Sequence, residues 1–174
     1  FRRLLPASWT TMLIVVAMGA LGVWDNDQLR SLRGDVPFAL LEVINWHFIA
    51  QDRSYGAEFA APSPLEHFWS LAVEQQFYIL LPALVIGILV VGKRPQRQRL
   101  STLVGVLVGL TLLSAVLNLV LSRSSIDRAY FGTDTRAGAL LIGCAAAAVA
   151  RMTKFDDPTR PAPPALNAAA VLAT

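Results

Sequence analysis

Long apolar runs separated by shorter polar segments extend along the whole chain. Three of these runs have the length of a membrane-spanning helix, about 20 mostly apolar residues: they cover residues 6–24, 64–92 and 100–121. A shorter run rich in small residues covers 137–150, and another begins at residue 165. Continuous apolar runs of this length predict helices that cross a bilayer, since a half-buried strand would alternate polar and apolar positions.

Residues 36–50 form an apolar run that is too short to cross a bilayer. A span needs at least about 17 residues, and this run is also interrupted by Glu42, Asn45 and His47. For Asn45 and His47 we expect a structural role at the membrane interface. The polar segments on either side of it, 25–35 and 51–63, are predicted to be loops, as is the later polar segment 122–136.

The positions of the basic residues set the expected orientation. Arg and Lys cluster in segments 2–3, 93–99 and 151–160, and basic loops lie preferentially on the cytoplasmic side. All three segments lie on that side only if residues 36–50 do not cross. We therefore predict that this run is re-entrant or interfacial, and that residues 25–63 and 122–136 face outward.

Composition agrees with a membrane protein. The chain is 55% hydrophobic and only 16% charged, whereas soluble domains average about 25% charged residues, and its mean hydropathy is +0.51. The formal charge of +3 comes from loop residues and gives no reason to expect a nucleic-acid partner. The predicted fold is all-α: a polytopic transmembrane helical bundle that forms one integral-membrane domain over residues 1–174.

Further structural expectations come from the ends of the sequence, its single cysteine and a set of small residues. The sequence has no initiator Met and stops inside an apolar stretch, so we expect an interior piece of a longer membrane protein, truncated at both ends. Cys144 lies in an apolar run and has no second cysteine to pair with, which predicts a small packing residue. Small residues at Gly138, Ala139, Gly143 and Ala147 predict close helix packing.

A set of polar side chains recurs on one face of the helix predicted within 64–92. At about 100° per residue, His67, Ser70, Glu74 and Tyr78 fall within roughly 80° of arc and span about 16 Å along the axis; we call them the polar stripe. An ionisable residue at membrane depth is costly and marks a functional site by default. The stripe therefore predicts chemistry on a helix that is otherwise buried.

Three stretches of the chain resemble the type-3 acyltransferase family of bacterial membrane proteins. They are RRLLPA at 2–7, PSPLEHFWSLAVEQQFYILLP at 62–82 and YFGTDTRAGALLIG at 130–143. The second is similar to the family form H-x-W-S-L-A-V-E-E-Q-F-Y, with Gln75 in place of the second Glu. The first is similar to the end of its R-x-x-R-I-x-P element.

The resemblance implies a multi-pass enzyme of the bacterial inner (plasma) membrane. Such proteins move an acyl group, often acetyl, from a cytoplasmic coenzyme A thioester to a hydroxyl of a sugar, polysaccharide or lipid. Acyl-CoA would be the donor substrate, with no bound cofactor. The family also carries a functional His and Arg in an opening helix to which nothing here corresponds. This piece alone is therefore not expected to be active.

The resemblance assigns catalytic roles to three residues of the polar stripe. Glu74 is the strongest candidate, because a carboxyl in an apolar site can act as an acid, a base or a hydrogen-bond acceptor. His67 would relay protons or bind the acceptor hydroxyl, and Tyr78 would organise the site. The structural alternatives are a Glu74 that only ties helices together and a His67 that only caps the helix entry.

Four further residues are implied to bind substrate. Arg3 matches the second Arg of the R-x-x-R element and implies contact with the phosphates of acyl-CoA; its alternative role is a topology anchor. Ser70 would hydrogen-bond near Glu74, since one-face spacing alone is weak support for a nucleophilic triad. Asp134 and Arg136 are implied to orient the acceptor, but Asp134 could instead be a helix N-cap with a surface ion pair.

Two other classes of function stay open at this point. A secondary transporter could use Glu74 and His67 as a proton pathway, and inverted repeats would favour it, although the sequence shows no internal repeat. A non-catalytic membrane scaffold would use the stripe for packing only. No metal site is predicted, because two histidines and one cysteine lie far apart in the sequence.

Overall fold

The computed structural model describes residues 4–53, 63–90 and 95–156, and every regular element in these ranges is a helix. The helices are α1 Leu4–Ala20, α2 Asn26–Leu40, α3 Ile44–Ala50, α4 Phe68–Val90, α5 Gln96–Leu121, α6 Ile126–Phe131 and α7 Thr133–Asp156. The predicted all-α fold is confirmed.

Among the described residues, three helical stretches are long and apolar enough to cross a membrane: Phe68–Val90, Gln96–Leu121 and Ile126–Met152. The last one runs through the short break between α6 and α7. The apolar part of α1, Leu5–Ala20, is shorter than these three, so its crossing of the bilayer stays a prediction. The transmembrane helical class is thus confirmed.

The polar segment 25–35 is helical, so its prediction as a loop was wrong. Asp25 caps the start of α2: its Oδ1 accepts from Gln28 N at 2.7 Å, and Asp25 N donates to Gln28 Oε1 at 3.1 Å. This reciprocal capping box satisfies two backbone donors at the helix end. The segment 122–136 was likewise wrongly predicted as a loop, since Ser125 accepts from Arg128 N and starts α6 within it.

The α2 helix runs back along α1. Gly22, with a φ of +76°, reverses the chain after α1, and Trp24 Nε1 donates to Val15 O at 2.9 Å. A Cβ on Gly19 would lie 3.1 Å from Leu29 Cδ2, so glycine permits the close approach of the two helices. Further along, Ser8 Oγ lies 3.4 Å from Glu42 Oε1, which places the end of α2 beside the first turns of α1.

The run 36–50 is broken in two by the turn at residues 41–43. The seven residues of α3 and the last turn of α2 are each too short to span a bilayer. Glu42 makes the turn in the left-handed region, with a φ of 55°. We call residues 36–50 the re-entrant hairpin after their predicted path, and their position relative to the bilayer stays a prediction.

The part of the chain that the structure describes forms two apolar cores. The first lies between α1, α2, α3, α4 and α6, where Phe48 and Phe131 meet edge to face with ring centroids 5.6 Å apart. The second lies between α5 and α7, where Leu107 and Leu141 are buried and Cys144 packs at the edge. Packing is therefore the observed role of Cys144.

Close packing of α5 on α7 depends on Gly138, whose N donates to Ser114 Oγ at 2.9 Å. The other small residues of the contact are Ala145 and Ala148, which are buried. The predicted small-residue face was only partly right, because Ala139, Gly143 and Ala147 are exposed. The interface follows the 138–141–145–148 spacing, in which each step is a helix neighbour.

Candidate functional site

The polar stripe of α4 does not face the first core. Ser70 and His67 are exposed, Glu74 is half-buried, and Tyr78 is 46% exposed. The buried residues of α4 are instead Phe68, Ala72, Val73 and Gln75. The stripe therefore contributes no buried side chain to the part of the bundle described here. The helix is apolar nearly all round, so its sequence does not select a single face for burial.

Ser70 is not part of a nucleophilic triad in this structure. Its Oγ donates to the backbone oxygen of His67 at 3.2 Å, a contact typical of a helix start. The catalytic roles of Glu74, His67 and Tyr78, and the binding role of Ser70, stay predictions. Arg3 lies outside the described residues, so its phosphate contact also stays a prediction.

A buried hydrogen-bonded network lies on the opposite side of α4 from the stripe. Gln76 Nε2 donates to Glu42 O at 2.8 Å and to Asn45 Oδ1 at 3.0 Å. Thr133 Oγ1 donates to Gln76 Oε1 at 2.5 Å, and Asn45 Nδ2 donates to Thr133 Oγ1 and to Phe131 O, both at 3.0 Å. We call Glu42, Asn45, Gln76 and Thr133 the polar junction.

The polar junction joins the re-entrant hairpin, α4 and the break between α6 and α7. Asn45 is fully buried, and each of its amide groups has a partner. A satisfied buried network fixes geometry, because each group left without its partner would carry an unmet desolvation cost. The junction therefore holds the first turn of α7, which carries Asp134 and Arg136, against α4.

Glu42 combines an uncommon backbone conformation with a perturbed carboxyl. It adopts a left-handed backbone conformation, which is uncommon for a residue other than glycine. Burial raises the pKa of the Glu42 carboxyl, and the hydrogen bond from Ser8 lowers that pKa by a smaller amount. Both features arise at the tip of the re-entrant hairpin.

Asp134 pairs with an arginine that the sequence analysis did not single out. Arg128 Nη1 and Nη2 donate to Asp134 Oδ1 and Oδ2 at 2.8 and 2.7 Å, a bidentate arrangement. The Arg128 guanidinium also lies over the Trp46 ring, 4.8 Å from its centroid. A Cβ on Gly132 would lie 2.7 Å from both Arg128 O and Asp134 Oδ1. The ion pair therefore leaves no room for a side chain at residue 132.

The ion-pair alternative for Asp134 is thus what the structure shows, but with Arg128 and not with Arg136. The Arg136 side chain contacts Tyr130 and Trp69 instead. Its Nε donates to Tyr130 O at 2.8 Å, and its guanidinium carbon lies 4.5 Å from the Tyr130 ring centroid and 5.6 Å from that of Trp69. The two rings are themselves 4.8 Å apart. Arg136 therefore sits in an aromatic notch.

A second charged cluster surrounds Asp35, whose side chain is fully buried. Arg53 Nη1 and Ser63 Oγ both donate to Asp35 Oδ2, at 2.8 and 2.5 Å. His47 Nε2 lies 3.3 Å from Asp35 Oδ1, and its ring stacks on Phe38 with centroids 3.8 Å apart. The cluster ties the two flanks of segment 54–62 to α2, and it gives His47 the structural role that the sequence favoured.

An apolar cleft of about 320 Å³ lies between α4, α5 and α7. Leucines and Phe77 form most of its wall, while Ser114 and Asp134 are the polar residues that line it. A volume of this size is at the lower end of ligand-binding pockets. Within the described ranges, no three His, Cys, Asp or Glu side chains come close enough to hold a metal ion.

Gln75 is the buried polar residue that the described contacts leave unexplained. It is 1% exposed, and neither its Oε1 nor its Nε2 has a hydrogen-bond partner among the described residues. It stands where the resembling family has its second Glu. An amide is less costly to bury without a partner than an ionised carboxylate, so glutamine suits this position better than glutamate would.

Comparison with known proteins supports the resemblance to membrane O-acyltransferases. The chain is 42% identical over 151 residues to the peptidoglycan O-acetyltransferase OatA of Listeria monocytogenes, covering 86% of this chain and 23% of the relative. It is 36% identical over 143 residues to the O-acetyltransferase OatA of Staphylococcus aureus, covering 82% and 23%. A Bacillus subtilis protein provisionally named peptidoglycan O-acetyltransferase YrhL is 42% identical over 159 residues, covering 90% and 24%.

These relatives are much longer than the matched region. The chain spans about a quarter of the length of the curated relatives it matches, 23% to 24%. No protein-family profile matches the chain, and no solved structure matches it. The similarity covers the polar stripe, the polar junction and the Arg128–Asp134 pair, since it extends over most of the chain.

Proposed function

We propose that this chain is part of a plasma-membrane O-acetyltransferase that transfers an acetyl group to a hydroxyl of a cell-wall polysaccharide. The observation that carries the proposal is the 42% identity over 151 residues to a relative named as a peptidoglycan O-acetyltransferase. Three candidate membrane spans support it as well, because they give the bilayer setting that such an enzyme needs.

The proposed reaction joins a donor from one side of the membrane to an acceptor on the other. The acetyl donor is acetyl-CoA, held on the cytoplasmic side by Arg3. A base takes the proton of the acceptor hydroxyl as its oxygen attacks the thioester carbon, the C–O ester bond forms and the C–S bond breaks, and the thiolate that leaves takes up a proton to give the free thiol. Glu74 and Tyr78 organise the acceptor hydroxyl on the exposed face of α4, where His67 and Ser70 lie at the outward end.

The polar junction serves this arrangement by fixing α7 against α4. It holds the Arg128–Asp134 pair and Arg136 near the outward entry of the bundle, on the predicted topology. This placement suits binding of an acceptor that approaches from outside. Glu74 is partly exposed among the described residues, which is compatible with a carboxyl that substrate reaches.

The direct test uses the complete protein, purified in detergent, with radiolabelled acetyl-CoA and isolated peptidoglycan glycan strands. We expect alkali-labile acetyl esters to accumulate on the strands. Arg3→Ala should raise the KM for acetyl-CoA with a smaller effect on kcat, because a phosphate contact acts on the bound donor. Label that stays on coenzyme A at every acceptor concentration would contradict acetyl-CoA as donor.

A further inference from the structure

Glu42 carries a carboxyl that has no charged partner among the described side chains. Ser8 Oγ of α1 donates to its Oε1 at 3.4 Å, which is long for a hydrogen bond between two oxygens. No basic side chain of residues 4–53, 63–90 and 95–152 lies within ion-pair distance of this carboxyl. Asp35 and Asp134, by contrast, each bind an arginine. The Glu42 carboxyl therefore does little to hold the described helices together.

The turn at the tip of the re-entrant hairpin uses the backbone of Glu42 and not its carboxyl. Glu42 N donates to Ala39 O at 3.1 Å, and Glu42 O accepts from Gln76 Nε2 at 2.8 Å. The left-handed φ of 55° would suit glycine, which adopts it without the clash that a Cβ brings. A residue with a side chain thus occupies a strained position, and such positions cluster at functional sites.

The Glu42 carboxyl lies beside the first turns of α1. Ser8, which contacts it, is about 6 Å along the helix axis from Leu4 at the start of α1. Arg3 directly precedes Leu4 in the sequence, and it is the residue proposed to hold the phosphates of acetyl-CoA. On the predicted topology this end of α1 is cytoplasmic. The carboxyl therefore lies towards the side from which the donor would enter, whereas the acceptor would enter from the other.

The surroundings of Glu42 favour the protonated form of its carboxyl. Burial raises the pKa of Glu42, the hydrogen bond from Ser8 lowers that pKa by a smaller amount, and no neighbouring charge among the described residues shifts it. The side chains that contact Glu42 from other elements, Ser8 of α1 and Gln76 of α4, are both neutral. A carboxyl with a raised pKa keeps its proton to higher pH and can then give it up as a general acid.

We propose that Glu42 is the general acid of the acetyl transfer and protonates the thiolate that leaves the donor. This inference rests on the proposed function. The O–H bond of the carboxyl breaks as the S–H bond of coenzyme A forms, and the carboxylate then regains a proton from water. The base that took the proton of the acceptor hydroxyl releases one to water, so that each cycle takes up and releases the same number of protons.

The test is the rate of acetyl transfer from radiolabelled acetyl-CoA to glycan strands by the complete protein in detergent, measured as a function of pH. Because the protonated form of Glu42 is the active one, the wild-type rate should fall as the pH rises through the pKa of Glu42. Glu42→Gln has no proton to give. It should lower the rate about 10²-fold or more, the lower range of general acid–base effects, and should abolish that fall.

Ser8→Ala tests the same role without changing the carboxyl. It removes the hydrogen bond that lowers the pKa of Glu42, so the fall in rate should move to higher pH. Asp52→Asn is the matched control, since Asp52 also has a left-handed φ, of 51°, and is exposed. This variant should keep the wild-type rate and its pH dependence.

Failure of this role and failure of the proposed function give different results. If the wild type transfers acetyl and a folded Glu42→Gln protein does so at a similar rate, the function stands and Glu42 is not the acid. A pH dependence that survives in Glu42→Gln, or that does not move in Ser8→Ala, would also overturn the role. If the wild type forms no acetyl ester at any pH, the proposed function fails and the role of Glu42 fails with it. Thermal unfolding of each variant in the same detergent separates lost chemistry from lost structure, and if Glu42→Gln does not fold, the shift in Ser8→Ala decides.

Discussion

Among the individual residues, a few polar side chains hold α3, α4 and the first turn of α7 together. Gln76 is the most connected of them, since its amide bonds to Glu42, Asn45 and Thr133. Three separate segments of the chain meet at this one side chain. Its role could not be foreseen from the sequence, where it is one of two adjacent glutamines, because its partners are brought to it only by the fold.

Gln76→Ala should destabilise the protein by roughly 1–3 kcal/mol, because it leaves Asn45 and Thr133 with unpaired buried groups. The free energy of unfolding in detergent measures this effect. Gln96→Ala is the matched control, as Gln96 is exposed at the start of α5 and should change stability by about 0.5 kcal/mol or less. Equal effects of the two substitutions would show that the junction is not stabilising.

Gly132→Ala should also destabilise, by roughly 1–3 kcal/mol, because a Cβ there has no room between Arg128 and Asp134. The ion pair would have to open to admit the methyl group. Gly143→Ala is the control, since a Cβ at this helical position meets nothing within 4 Å and alanine favours helix over glycine. Unchanged stability in Gly132→Ala would mean that the pair is loosely held.

At the scale of elements, the long apolar helices follow directly from run length, and α4, α5 and α7 are found where apolar runs predicted helices. The error at α2 has a clear reason. Its first half is polar, so hydropathy gave no helix, although Asp25 and Gln28 have the spacing of a capping box. The rotation of α4 was beyond prediction, because an apolar helix with polar residues on two sides has no single face that hydropathy selects.

Topology can be tested with cysteines placed in the background Cys144→Ala. Asp27→Cys and Ala50→Cys should both react with a membrane-impermeant thiol reagent added outside cells, since both positions are exposed, one before the run 36–50 and the other at its last residue. Ser101→Cys, at the start of α5, should react only after the membrane is opened. Protection of position 50 while position 27 reacts would mean that residues 36–50 cross the bilayer.

At the scale of the whole molecule, the fold class was predictable and the site was predictable only in part. Asp134 and Arg136 do lie together at the first turn of α7, but the residues that surround them, Trp46, Trp69, Arg128 and Tyr130, come from the three helices α3, α4 and α6. Sequence spacing shows which residues share a helix face. It does not show which helices meet, and the polar junction and the aromatic notch both depend on that.

The polar stripe lies on a face of α4 that the other described helices do not cover. A Glu74 used for catalysis must be reached by substrate, whereas a Glu74 used for packing should be enclosed by partners. Glu74→Gln separates the two roles, because the amide keeps the size and most hydrogen bonds but removes the acid–base capacity. Asp27→Asn, which makes the same kind of change on exposed α2, is the matched control.

The most direct measurement is therefore the rate of acetyl transfer to glycan strands by the complete protein carrying Glu74→Gln. We expect the rate to fall about 10²-fold or more, the lower range of general acid–base effects, while the melting temperature stays close to that of the wild type and Asp27→Asn transfers normally. A folded Glu74→Gln protein that transfers acetyl at near the wild-type rate would contradict the catalytic role of Glu74, which would then be a structural side chain.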